Sequence, residues 1–138
     1  EYWAIDISSV SIGKEKYSFS RPLATLVDTG STMVFLPGAV LDKLFGSIQG
    51  AGTDADGVVV VPCQSQQLTS IGFHVGNYEL SFDPEDYIMP NQSTDGMCPT
   101  YFMESDGGLE MLLGYGFLQH YVSIYDQEKK RIGLAKRR

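Results

Sequence analysis

The chain has 138 residues, 43% of them hydrophobic, with 15 Gly, 6 Pro and a formal charge of -7. That length is enough to bury most of the surface the unfolded chain exposes, and no apolar run approaches the about 20 residues of a membrane-spanning helix. The acidic balance argues against a nucleic-acid partner, because phosphate binding relies on clustered Lys and Arg. The basic groups Lys129-Lys130-Arg131 and Lys136-Arg137-Arg138 read as a solvated turn and tail.

The opening residues Glu1-Tyr2-Trp3-Ala4-Ile5-Asp6 show neither a basic n-region nor an apolar h-region, so mature or internal sequence is expected. Trp3, Ile5 and Ile7 alternate with polar or small residues, and the apolar set then slips to Val10 and Ile12, which predicts a strand with a bulge near Ser8-Ser9. Gly13 to Lys16 reads as a turn. Tyr17 and Phe19 resume the alternation, and Leu23 to Val27 is a nearly continuous apolar strand running into Asp28-Thr29-Gly30. Pro37 opens a short helix with Val40, Leu41, Leu44 and Phe45 on one face and Gly46 as its stop.

Gln49 to Gly57 reads as loop and Val58 to Val61 as strand. Ile71 to Phe82 reads as a hairpin around Gly76-Asn77, followed by a helical turn capped by Asp83-Pro84 and ending at Tyr87. Leu109 to Leu113, Tyr121 to Tyr125 and Ile132 to Ala135 are further strands. The fold class is therefore all-β with short helices, in a single domain over residues 1–138 without internal repeats.

Cys63 and Cys98 lack metal-ligand spacing, which leaves one disulfide or two buried thiols. No metal or cofactor is expected. Asn91-Gln92-Ser93 meets the N-glycosylation pattern. His74 and His120 read as surface or satisfied core residues, and Tyr17, Tyr78, Tyr101 and Phe102 as core and rim.

Asp28 is the residue with chemical promise. A strand-end carboxylate flanked by hydroxyls is a candidate functional acid, although an Asp in such a turn also commonly caps backbone amides. Five segments in order carry a resemblance: Glu1 to Ile7; Leu26-Val27-Asp28-Thr29-Gly30-Ser31-Thr32; the cysteine pair; Leu112-Leu113-Gly114 with Phe117-Leu118; and Tyr121 to Asp126 with Ile132 to Ala135. Together these resemble the C-terminal lobe of the pepsin-like aspartic proteases. The resemblance implies an acid-protease lobe with a ψ-loop (double-psi), barrel-like arrangement of strands, in which Thr29, Leu113 and Gly114 support the Asp28 loop.

It also implies that Asp28 is one member of a catalytic pair, that Gly30, Ser31 and Thr32 bind substrate main chain, and that Cys63 and Cys98 form the lobe's disulfide. Leu26 and Leu112 look like pocket walls or plain core. The second Asp-Thr-Gly and the flap would come from an N-terminal lobe, as a separate chain or cleaved from the same precursor. A peptide substrate, pepstatin-type inhibitors and a secreted or vacuolar/lysosomal setting follow from the same likeness. Tyr115 departs from the family, which often has an acid at that position. Two other readings remain: a homodimeric protease of the retroviral kind, and a non-catalytic binding or inhibitor protein on the pepsin scaffold. The disulfide and the long segment after Asp28 argue against the first, and an intact Asp28 argues against the second.

Overall fold

The structure, a computed structural model, describes residues 3–106, 108–126 and 131–137. Strands β1 (Trp3–Ile12) and β2 (Glu15–Val27) form a long antiparallel ribbon. Its register shifts between Ile7 and Ser9, as the slip in the apolar pattern predicts. The shift keeps both apolar sets facing inward: Ile7, Val10 and Ile12 are all buried. The turn is shorter than expected. Gly13 adopts φ 62, a backbone conformation that glycine takes at no steric cost, and β2 resumes at Glu15.

The remaining elements are β3 (Val34–Leu36), α1 (Gly38–Phe45), β4 (Gly52–Thr53), β5 (Val58–Pro62), β6 (Ile71–Val75), β7 (Tyr78–Phe82), α2 (Pro84–Tyr87), β8 (Met97–Glu104), β9 (Met111–Leu113), α3 (Tyr115–Leu118), β10 (Tyr121–Asp126) and β11 (Arg131–Lys136). A single 3-10 turn, Pro90–Gln92, precedes β8. Nine strands form one sheet in the order β4-β5-β8-β3-β9-β2-β1-β6-β7, while β10 and β11 pair separately. This is the all-β fold with short helices that the sequence predicts.

In α1, Val40, Leu41, Leu44 and Phe45 are buried on one face as their spacing requires. Pro37 stands just before the helix, and Gly46 continues it in right-handed geometry, its N–H donating to Asp42 O at 2.7 Å. The predicted hairpin is β6 and β7, closed at Gly76-Asn77 with Val75 opposite Tyr78. Asp83 precedes α2 without capping it through its side chain. Its carboxylate instead accepts from Ser70 Oγ at 2.7 Å and faces Lys136 Nζ at 3.6 Å.

The core is aromatic at its centre. Phe82 meets Tyr87, Phe102 and Phe117 edge-on at ring distances of 5.7, 5.5 and 5.2 Å, the arrangement that ring quadrupoles favour. All three helices contribute to this cluster, through Phe45, Tyr87 and Phe117. Burial holds the Tyr87 hydroxyl far above its ordinary range, and it donates to Thr69 O at 2.7 Å. Cys63 and Cys98 are bonded, joining the end of β5 to the start of β8.

Candidate active site

Three short segments fix the position of Asp28. β9 lies between β2 and β3, parallel to the first and antiparallel to the second. The chain therefore leaves β2, loops over the end of β9 and returns along its other side, in the ψ arrangement expected. Asp28 N donates to Leu113 O at 3.1 Å, extending the β2–β9 ladder to the first residue of the loop.

The loop then closes on its own carboxylate. Gly30 N donates to Asp28 Oδ1 at 2.9 Å, Ser31 Oγ donates to Oδ2 at 3.1 Å, and Ser31 N donates to Asp28 O at 3.3 Å. Each carboxylate oxygen thus has one donor from the loop, which fixes the orientation of the carboxylate. A β-carbon at Gly30 would lie 3.1 Å from Asp28 Oδ1, so this position is tight as well. Asp28 and Ser31 are half-buried, while Thr29, Gly30 and Thr32 are exposed and form an open rim.

The loop is braced from behind by the start of α3. Tyr115 N donates to Ser31 O at 2.6 Å and Gly116 N to Thr32 O at 2.9 Å. Such close approach requires residues without side chains. A β-carbon at Gly114 would collide with the carbonyls of Met33 and Ser31, and one at Gly116 with the Tyr101 ring. Tyr115 itself points outward and is 52% exposed, directly beside the Asp28 loop.

Strand register separates two rows of side chains. Val27, Leu113, Val34 and Phe102 are successive cross-strand partners and all are buried in the main core. Leu113 thus supports the loop from within the core. The adjacent row, on the opposite face, runs Ala4, Leu26, Leu112, Phe35, Met103 and Val58 through the same pairings. Ala4 is exposed, and Leu26, Phe35, Met103 and Val58 are half-buried. Leu112 is 7% exposed yet stands outside the main hydrophobic cluster. Leu26 and Leu112 therefore belong to an apolar stripe outside the core and next to Asp28. Phe35 and Met103 extend it, although nothing local in their sequence marks them.

The eukaryotic aspartyl protease family profile matches residues 1–137. The chain belongs to that family. Among its relatives, human gastricsin is 33% identical over 97% of this chain and 35% of its own length. Vacuolar protease A of Neurospora crassa is 30% identical over 97% of this chain and 34% of its own length. Bovine pepsin A is 28% identical over 97% of this chain and 36% of its own length. The chain thus spans about a third of the length of these curated relatives.

The two histidines lie elsewhere. His74 Nε2 is 2.6 Å from Ser11 Oγ and 3.1 Å from Glu79 Oε2. His120 Nδ1 lies 3.7 Å from Asp86 Oδ1, while its buried Nε2 has no hydrogen-bond partner among the described residues, so the expectation of a satisfied residue is met only in part.

Proposed function

We propose that this chain is the C-terminal lobe of a two-lobed acid endopeptidase, with Asp28 as one of the two aspartates that together activate water. The observation that carries the reading is the carboxylate of Asp28, held at the mouth of the ψ loop by Gly30 N and Ser31 Oγ beside an open rim. One carboxylate is not enough for the reaction. Peptide hydrolysis by this route needs one group to take a proton from water and another to give a proton to the scissile carbonyl.

A second aspartate about 3 Å away supplies both roles, because two such charges repel by about 5 kcal/mol at an effective dielectric of about 20. That repulsion splits their titrations by roughly four units, keeping one protonated while the other acts as base. This chain has one Asp-Thr-Gly. Its partner belongs to an N-terminal lobe, for which the greater length of the matched relatives leaves room.

Exposed Thr29 suits contact with that lobe. Gly30, Ser31 and Thr32 are placed to bind substrate main chain, and the stripe through Leu26, Leu112 and Phe35 suits apolar side chains of an extended peptide. A secreted or vacuolar setting is supported by the disulfide and by relatives that include a vacuolar protease.

The test is Asp28→Asn in the full-length enzyme. Acid proteolysis should fall by about 10³-fold or more with thermal unfolding retained, and pepstatin should bind the parent enzyme. Undiminished acid proteolysis in the variant would remove Asp28 from the mechanism.

A further inference from the structure

From within the 3-10 turn to the start of β8 the chain makes its longest fully exposed excursion among the described residues of this region. Asn91, Gln92, Ser93, Thr94, Asp95 and Gly96 are all exposed. The excursion is nevertheless well formed. Gln92 N donates to Met89 O at 3.2 Å, and Thr94 and Met97 exchange both backbone hydrogen bonds at 2.9 Å. Asp95 and Gly96 take φ 53 and φ 80 to complete the reversal. Among the described residues, the Asn91 side-chain amide has no hydrogen-bond partner, so modifying it breaks no contact of the fold.

Asn91-Gln92-Ser93 is the sole Asn-x-Ser/Thr in the sequence, with no proline at the middle position or after Ser93. The loop also abuts the disulfide, since Cys63 N donates to Gly96 O at 2.9 Å. A disulfide here implies passage through an oxidising compartment, the setting in which such asparagines meet the glycosylation machinery.

We propose that Asn91 carries an N-linked glycan in the mature protein and that this glycan covers the exposed 91–96 segment beside the Cys63–Cys98 bond. In the step itself the Asn91 amide nitrogen bonds to the anomeric carbon of an oligosaccharide held on a lipid pyrophosphate. The carbon–oxygen bond to that pyrophosphate breaks, the amide nitrogen loses one proton, and the lipid pyrophosphate departs. An exposed turn of small polar residues is a preferred site of proteolytic nicking, and a bulky polar glycan at its first residue denies a protease the extended approach it needs.

The experiment uses the full-length protein secreted from a eukaryotic host. Mass spectrometry of the peptide bearing Asn91, before and after enzymatic glycan removal, should show the glycan and then conversion of Asn91 to aspartate. Ser93→Ala should abolish the modification and Ser93→Thr should keep it. Each is a surface change that leaves the fold intact, so Asn91→Gln need not carry the test alone. With an added broad-specificity protease, cleavage within 91–96 should run several-fold faster after Ser93→Ala. An unmodified Asn91 in the secreted protein, or a glycan that survives Ser93→Ala, overturns the site. Equal cleavage rates overturn the shielding role.

Discussion

Gly114 stands where β9 passes into α3, and its backbone is of ordinary extended form, so the demand for glycine there is one of space. With the Met33 and Ser31 carbonyls against it, a methyl group at 114 must push the Asp28 loop forward. Gly114→Ala should destabilise the fold by about 1–3 kcal/mol, the usual cost of overpacking, and should lower kcat more than KM in the assembled enzyme. Steady-state kinetics and denaturant unfolding of the same variant check both. A second prediction concerns pH. The Arg21 guanidinium, and next the Ala24 N–H at 2.8 Å from Oε2, hold the Glu110 carboxyl below its usual range. The fold therefore favours ionised Glu110. That contribution is complete above about pH 4.5, the ordinary carboxylate value, and fades as pH falls through the lowered folded value. Glu110→Gln should lower the thermal midpoint near neutral pH, and the gap between variant and parent should close in acid.

At the scale of elements, the disulfide ties β5 to β8 across a sequence separation of 35 and encloses the β6–β7 hairpin and α2. By loop-closure entropy, replacing both cysteines with serine should cost about 3–4 kcal/mol, read as a drop in the denaturant midpoint under non-reducing conditions. The same region shows where sequence patterns stop being informative. β8 was not anticipated, since Pro99 lies inside it and Thr100 occupies a core position. The Thr100 hydroxyl donates to Val59 O at 2.9 Å and accepts from Phe102 N at 3.1 Å, next to a register shift in the β5–β8 pairing, so a polar residue is satisfied where a pattern reader expects an apolar one. β3 was missed because three residues ahead of Pro37 carry no periodicity. β9 begins at Met111 instead of Leu109, as the Glu110 carboxylate takes the Ala24 N–H that a further rung would use. The Asp28 turn was legible because its determinants are adjacent in sequence. The stripe through Phe35 and Met103 was not, because it exists only once distant strands have paired.

For the molecule as a whole, the proposed reading makes the rim around Thr29 a surface that another lobe covers. The chain of 15.2 kDa, expressed alone, should be catalytically silent, and scattering detection after size exclusion should give its monomer mass. Acid proteolysis from a species of about 30 kDa containing only this chain would favour a symmetric dimer and overturn the two-lobe reading. The apolar stripe also sets a length. Its six positions, from Ala4 to Val58, leave five gaps between neighbouring strands, and at about 4.8 Å each they span about 24 Å. An extended polypeptide advancing about 3.3 Å per residue covers that distance in about seven residues. On the proposed reading the sheet would act as a ruler: peptides much shorter than this would leave rungs uncovered, and their turnover should rise with each added residue until the ruler is filled.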